Sequence, residues 1–159
     1  MAKILIIDDE EGMRFVLSNI LKKEGYEIVK AEDGRQALQV LEAERPDMAF
    51  LDLHLPAMDG TEVLREMKKV RKDIPVVMCS GFGDVDFAVK TMKYGAMDYV
   101  SKPFKNEDVL NMAKKALASK NVKAAAFEAS APAVAPEVQQ VNESNAELIK
   151  QKAKSKSKF

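Results

Sequence analysis

The sequence predicts an α/β fold, a five-stranded parallel sheet with helices on both faces. Five short apolar runs show no polar alternation, which is typical of parallel strands buried on both faces. Between these runs, apolar residues recur at spacings of three and four, the pattern of amphipathic helices. Strict alternation of the two patterns indicates right-handed crossovers. We expect the strand order 2-1-3-4-5, one of the common orders for open sheets of this class.

Each predicted strand is followed by a helix with an apolar stripe. The strands cover Lys3–Ile7, Glu27–Ala31, Met48–Leu51, Val76–Cys79 and Asp98–Val100. The successive helical stripes are Met13, Val16, Leu17, Ile20 and Leu21, then Ala37, Leu38 and Leu41, then Val63, Leu64 and Met67, then Val85, Ala88, Val89 and Met92, and finally Val109, Leu110, Ala113 and Leu117.

Capping residues at both ends of the helices support these helix boundaries. Asp33 precedes Gln36, and Asp59 precedes Glu62, with the spacing of a capping box in which Asp replaces Ser or Thr. Gly95 follows the fourth helix, where glycine commonly ends a helix, and Gly25 follows the first.

Composition divides the chain near residue 118. Residues 1–118 carry 18 Lys and Arg against 21 Asp and Glu, whereas residues 119–159 carry 7 Lys against 4 Glu. The later segment is rich in Ala, Pro and Lys, the composition of a linker. We expect a compact domain over 1–119 and a disordered, flexible tail over 120–159 without a second folded domain. A short helix over Asn145–Lys154 would be marginal alone.

Composition also excludes several classes of protein. The 25 basic residues balance the 25 acidic ones, which argues against nucleic-acid binding through bulk electrostatics. One histidine and one cysteine exclude a structural zinc site and an internal disulfide. No apolar run approaches the ~20 residues of a membrane span, and the N-terminus lacks signal-peptide features. We therefore expect a cytoplasmic protein without a membrane span.

Polar residues follow the predicted strands where each one ends. Asp8 and Asp9 follow the first strand, Asp52 the third, Ser80 the fourth and Lys102 the fifth. In the predicted order these residues meet at one edge of the sheet, where open α/β sheets bind ligands. Two carboxylates ~5 Å apart repel by about 3 kcal/mol at an effective dielectric of 20. Such a cluster either takes up protons or binds a hard divalent cation, of which Mg²⁺ is favoured. A carboxylate beside bound Mg²⁺ can attack a phosphoryl group.

The motifs DD, DLHLPAMDG, CSG and YVSKPF, in this order on these strands, resemble the receiver domain of bacterial response regulators, which has a flavodoxin-like fold. The resemblance covers residues 3–118. It implies that Asp52 accepts a phosphoryl group from a sensor histidine kinase or a phosphotransfer protein. It also implies that Mg²⁺ is held by Asp8, Asp9, Asp52 and the backbone carbonyl of His54. The only catalysis it implies is phosphotransfer to the chain itself and autodephosphorylation.

The resemblance also implies a switch. Lys102 would pair with the carboxylate or the phosphoryl group, Ser80 would move to hydrogen-bond a phosphoryl oxygen, and Tyr99 would turn inward. The Lys102–Pro103 peptide bond matches one that is usually cis in the family. The surface of the fourth helix, the fifth strand and the fifth helix would change and control a downstream protein. We expect a monomer or a weak, phosphorylation-dependent homodimer without a DNA-binding domain.

Other side chains have competing interpretations. Phe87, Lys90 and Tyr94 fall opposite the apolar stripe of the fourth helix, which suggests a partner surface, although partial burial at the helix edge also explains them. His54 is expected to be solvated, close enough to Asp52 to tune hydrolysis of the acyl phosphate. Cys79 is expected to be a small core residue.

Three alternative functions have testable signatures. A Mg²⁺-dependent phosphatase with Asp52 as nucleophile would need substrate-binding loops or a cap, and the predicted loops are short. A flavodoxin-like FMN binder would need a phosphate-cradling loop after the first strand, where four acids stand over residues 8–11. The chain could also be a fragment of a larger transcription regulator, although its Ala/Pro/Lys-rich tail favours a stand-alone receiver.

Overall fold

The computed structural model describes residues 1–81 and 83–129, and it alternates strands and helices throughout. In chain order the elements are β1 (Lys3–Ile7), α1 (Glu11–Lys22), β2 (Glu27–Ala31), α2 (Gly34–Glu44), β3 (Met48–Asp52), α3 (Gly60–Val70), β4 (Val76–Ser80), α4 (Val85–Met92), β5 (Asp98–Ser101) and α5 (Asn106–Ala129). The predicted strands are confirmed, with β3, β4 and β5 each one residue longer than expected.

The five strands form one parallel sheet in the order β2-β1-β3-β4-β5, so the predicted fold class and strand order are confirmed. Ile7 pairs with Leu51 across β1 and β3. Asp52 pairs with Cys79 across β3 and β4. The carboxyl ends of all the strands therefore lie along one edge of the sheet.

Alternate residues of each strand enter two separate cores, because successive side chains point to opposite faces of a sheet. Leu5 and Leu51 pack in a cluster with residues of α2, α3 and α4. Ile6 and Phe50 pack in a second cluster with residues of α1 and α5. Burial on both faces explains why the strands read as continuous apolar runs.

The predicted helix boundaries are confirmed at several caps. The side chain of Asp33 accepts a hydrogen bond from the Gln36 N–H at 2.7 Å. The side chain of Asp59 accepts one from the Glu62 N–H at 3.0 Å. Gly95, with φ of +100°, adopts the left-handed backbone that glycine tolerates best at a helix end.

Two details of the helices differ from the expectation. Val16 was placed on the buried stripe of α1, but it is 48% exposed. The helix is rotated so that Ser18 is buried at the edge of the stripe instead. The second difference is the length of α5, which continues to Ala129, past the expected domain end at residue 119. Its last turns are alanine-rich, and alanine is the best helix former.

The remaining expectations about the C-terminal segment concern residues 130–159, including the short helix over Asn145–Lys154, and lie outside the described residues. Among the described helices, none combines the length and apolar character needed to cross a membrane. The Lys102–Pro103 peptide bond is cis, as the resemblance implied.

Candidate functional site

A buried group of two carboxylates and one ammonium lies at the carboxyl edge of the sheet. Lys102 Nζ is 3.1 Å from Asp8 Oδ2 and 3.3 Å from Asp52 Oδ2. Asp8 is 1% exposed and Asp52 is 5% exposed. Because β1, β3 and β5 all end at this edge, residues far apart in the chain meet here.

The backbone around β1 fixes the position of Asp8. Its N–H donates to the Ala31 carbonyl at 3.1 Å, and its Oδ1 accepts from the Glu10 N–H at 2.9 Å. The guanidinium of Arg14 donates to the Asp8 carbonyl at 2.7 Å. One carboxylate oxygen is thus engaged by the backbone, while the other receives the Lys102 ammonium.

A glycine allows α3 to begin directly beneath the Asp52 backbone. The Gly60 N–H donates to the Leu53 carbonyl at 2.8 Å. A Cβ at Gly60 would overlap the Asp52 carbonyl oxygen and the backbone of Leu53. From the sequence, Asp59-Gly60 could be recognised only as the start of a helix. The close approach of Gly60 to the backbone of Asp52 and Leu53 leaves no local sequence signal.

The group carries more negative than positive charge. Burial and the nearby Asp8 carboxylate raise the pKa of Asp52, even though the Lys102 ammonium acts in the opposite direction. Burial alone would lower the pKa of Lys102, but attraction to Asp52 and Asp8 outweighs it and raises that pKa. The lysine therefore stays protonated, and the two carboxylates still leave a net negative charge that would attract a further cation.

Three consecutive carboxylates could hold that cation. Ligand oxygens of Asp8, Asp9 and Glu10 all lie within 4.8 Å of one another. Asp8 is buried, whereas Asp9 and Glu10 are exposed. Hard oxygen donors with solvent access on one side fit Mg²⁺, which keeps several of its waters. Glu10 was not among the predicted ligands, although the run of acids after β1 could have indicated it.

The other two predicted ligands, Asp52 and the backbone carbonyl of His54, lie at the end of β3 and in the loop that follows it. Asp52 is connected to Asp8 through Lys102 and is not among the three clustered carboxylates. His54 donates its backbone N–H to Asp52 Oδ1 at a long 3.4 Å. That contact places the start of the β3–α3 loop against the Asp52 carboxylate.

Ser80 ends β4 with a buried and unsatisfied hydroxyl. The residue is fully buried, and its Oγ has no hydrogen-bond partner among the described residues. Such a group costs about 1–3 kcal/mol until it finds a partner. Ser80 follows Cys79, the residue that pairs with Asp52, so it ends β4 at the same edge of the sheet, and its hydroxyl is available to a new acceptor.

The loops after β3 and β4 contact each other through side chains. Asp84 Oδ2 lies 3.0 Å from His54 Nε2 and accepts from the Gly81 N–H at 3.2 Å. A carboxylate only accepts, so the imidazole donates from Nε2. The His54 side chain is 67% exposed, as expected for a solvated loop residue, but it has a specific partner. The sequence did not single out Asp84, because an Asp before a helix usually caps it.

The predicted switch and partner residues lie on the α4 side of the sheet. Tyr99 is partly buried against the core cluster of α2, α3 and α4. Phe87 is 53% exposed and Tyr94 is 41% exposed. Lys90 Nζ lies 5.9 Å from the centre of the Phe87 ring. These side chains form an exposed surface with aromatic and basic character.

Two further residues lie in different parts of the molecule: Arg65 adds to this exposed surface, whereas Cys79 packs in the cluster with α1 and α5. Arg65 of α3 was not predicted, but its Cζ lies 5.0 Å from the centre of the Tyr94 ring and extends the exposed surface. Cys79 is 2% exposed, and burial raises the pKa of its thiol. A buried, protonated thiol is unreactive, which agrees with a packing role.

The chain was compared with known families and proteins. The family model described as "Response regulator receiver domain" matches residues 4–114. Sporulation initiation phosphotransferase F of Bacillus subtilis is 38% identical over 119 residues, which cover 75% of this chain and 96% of that protein. Chemotaxis protein CheY of Bacillus subtilis is 36% identical over 116 residues, covering 72% and 97% of the two chains.

Solved structures show the same relationship. The receiver domain of NtrX from Brucella abortus has a TM-score of 0.70 at 39% identity and covers 72% of this chain and 97% of that chain. A longer NtrX structure has a TM-score of 0.78 at 36% identity, but the match covers only 29% of that chain. The present chain therefore belongs to the response regulator receiver family, the phosphoacceptor domains of two-component signal transduction.

Proposed function

We propose that Asp52 is the residue that accepts the phosphoryl group, from a phosphohistidine of a sensor kinase or a phosphotransfer protein. The observation that carries this proposal is the Asp8–Lys102–Asp52 group at the carboxyl edge of the sheet. A carboxylate oxygen of Asp52 forms a bond to phosphorus as the N–P bond breaks. The donor imidazole keeps the electron pair of that bond. The product is an acyl phosphate on Asp52.

The acidic cluster would hold Mg²⁺ for this transfer. We assign the ion to Asp8 and Asp9, whose carboxylates cluster with that of Glu10, and, as the family resemblance implies, to Asp52 and the backbone carbonyl of His54. When bound, Mg²⁺ neutralises charge on the transferring phosphoryl oxygens. The excess of carboxylates over ammonium groups in the site supports the need for this ion.

Two side chains would stabilise the phosphorylated state. The group adds a charge of roughly −1.5 to −2 and three acceptor oxygens. The Lys102 ammonium, which now contacts Asp52 at 3.3 Å, can follow the new charge. The Ser80 hydroxyl, buried without a partner, gains an acceptor by moving toward a phosphoryl oxygen. Satisfying it provides part of the free energy for a change of shape.

That change would reach the partner surface through β4 and α4. Movement of Ser80 draws in the β4–α4 loop and vacates space into which Tyr99 can turn. The surface of α4, β5 and α5, including Phe87, Lys90 and Tyr94, then contacts a downstream protein. Phosphorylation shifts a pre-existing equilibrium between two shapes.

The phosphohistidine donor indicates where in the cell the protein acts. Phosphohistidine is formed from ATP, so we place the protein in the cytoplasm. The receiver acts as a monomer or a weak, phosphorylation-dependent homodimer. Its own catalysis is limited to phosphotransfer onto Asp52 and hydrolysis of the product. We assign the receiver domain to residues 1–119, and the last turns of α5 continue beyond this boundary.

Labelling with acetyl phosphate tests the assignment. Intact-mass measurement should show the gain of one phosphoryl group in the presence of Mg²⁺ and none in EDTA. Asp52→Asn should abolish the gain. Asp86→Asn, which removes an exposed carboxylate from the first turn of α4, should retain it. Undiminished labelling of Asp52→Asn would refute the proposal.

A further inference from the structure

The carboxylate of Asp84 joins the two loops that border the phosphoryl site. It accepts from the Gly81 N–H in its own β4–α4 loop and from the imidazole of His54 in the β3–α3 loop. If the parallel register of Asp52 with Cys79 continues outward, His54 lies opposite Gly81. The contact therefore spans the outer end of the β3–β4 pair, directly beyond Asp52 and Ser80.

The same carboxylate does not cap its own helix. Asp84 is the N-cap residue of α4, yet its side chain makes no capping hydrogen bond. Its backbone, with φ −94° and ψ 15°, differs from the extended backbone usual at this position. An N-cap bond is worth about 0.5–2 kcal/mol, and here the side chain bonds the loops instead.

We propose that Asp84 and His54 are positioning residues that hold the β4–α4 loop in its unphosphorylated position. The unit formed by Asp84, His54 and Gly81 is named the Asp84 latch. Its release accompanies the movement of Ser80 toward a phosphoryl group on Asp52, a step that rests on the function proposed above. Once released, the Asp84 carboxylate is free to accept from the first turn of α4.

The position of the latch explains how it would act. Gly81 immediately follows Ser80, so a hydrogen bond that restrains the Gly81 N–H also restrains the backbone that carries the Ser80 hydroxyl. His54 is two residues from Asp52 and is anchored there by its own N–H. The latch thus ties the loop that must move to the loop that carries the acceptor. Removing it lowers the free-energy cost of reaching the phosphorylated shape.

Hydrogen exchange and beryllofluoride binding test the latch in the full chain. Asp84→Ala should speed exchange at the Gly81 amide and lower the dissociation constant of beryllofluoride with Mg²⁺. The expected change is about two- to tenfold, the range for one or two net hydrogen bonds. Asp84→Asn, whose amide oxygen can still accept from Gly81, should restore much of the protection. His54→Ala should have a smaller effect, since the Gly81 contact remains.

Asp86→Ala is the matched control, because it removes an exposed carboxylate of the same helix turn. Equal Gly81 exchange and equal beryllofluoride binding in Asp84→Ala, His54→Ala and the control would overturn the latch. Weaker beryllofluoride binding by His54→Ala, which keeps the Gly81 contact, would also overturn it. Failure of the unmodified chain to bind beryllofluoride would instead refute the phosphoacceptor assignment, while the exchange result would still test the latch.

Discussion

Helices α2, α3 and α4 each follow an aspartate, but only the first two aspartates cap their helices. Asp33 and Asp59 have an extended backbone and bind the N–H three residues later. Asp84 has a different backbone conformation and binds Gly81 in its own loop and His54 in the β3–α3 loop. Two helices are thus capped by the preceding aspartate, whereas the Asp84 side chain bonds to one group in its own loop and one in a neighbouring loop. The comparison indicates that the start of α4 can change more readily than the starts of α2 and α3.

The polar groups of the site show the same difference. Asp8 and Asp52 are almost completely buried and share one ammonium. The contact between His54 and Asp84 is far more exposed. Removing the Lys102 ammonium would leave two buried carboxylates without compensation and cost several kcal/mol, whereas breaking an exposed contact costs much less. The buried charges therefore hold the acceptor site in place, whereas the exposed contact between the two neighbouring loops can break and re-form.

The firmly held start of α3 can be tested at Gly60, where we expect the largest effect. In Gly60→Ala the added methyl group would overlap the backbone of Asp52 and Leu53. Neither backbone can retreat cheaply, so we expect a loss of about 2–3 kcal/mol in the free energy of unfolding. Urea denaturation measures this loss, and acetyl phosphate labelling should fall with it.

Gly12→Ala is the matched control for that substitution. Gly12 lies in the first turns of α1, and a Cβ there would meet no neighbouring atom within 4 Å. Alanine in a helix should therefore be neutral or stabilising by up to about 1 kcal/mol. Equal stability changes in the two variants would show that α3 does not depend on close approach to the acceptor strand.

The charge of the buried group provides the next largest effect. In the metal-free protein, Asp52→Asn leaves one ammonium and one carboxylate, Lys102 and Asp8, as a balanced pair. We expect the variant to be more stable than the unmodified chain by roughly 1–2 kcal/mol at pH 7. Urea denaturation in EDTA measures the difference, and Asp86→Asn should stay within about 0.5 kcal/mol of the unmodified chain.

The pH dependence of that difference has a definite sign. Burial and Asp8 raise the pKa of Asp52 in the fold above its ordinary value of 3.8, so the folded state binds the proton more tightly than the unfolded state. The ionised carboxylate therefore destabilises the fold at pH values above the raised pKa. The cost declines as pH falls through that pKa and vanishes below the unfolded value. A stability advantage of Asp52→Asn that grows on acidification would contradict this account.

Much of the fold could be predicted because its signals are local and repeated. Apolar runs and helical stripes identified β1 to β5, and polar residues marked the carboxyl end of each strand. The meeting of Asp8, Asp52 and Lys102 then followed from strand order alone. Crowding at Gly60 could not be predicted, because it arises where α3 meets a backbone segment fixed by the rest of the sheet.

The direction of the Asp84 side chain also could not be predicted from the sequence. Asp33, Asp59 and Asp84 stand in the same position before a helix, and only the backbone angles of Asp84 turn its carboxylate toward Gly81 and His54. The exposure of Val16 depends on how α1 is rotated on the sheet. Both features depend on packing of whole elements, which residue patterns do not specify.

The smallest expected effect concerns the caps themselves. Asp59→Ala removes a hydrogen bond to the first turn of α3 and should lower the free energy of unfolding by about 1 kcal/mol. Asp84→Ala removes no capping bond from α4, only contacts that are partly exposed. We expect it to cost roughly half as much in urea denaturation, because such contacts contribute less than a cap. If Asp84→Ala and Asp59→Ala lost equal amounts of stability, α4 would be stabilised at its start as firmly as α3. The start of α4 would then not be easier to change than the start of α3.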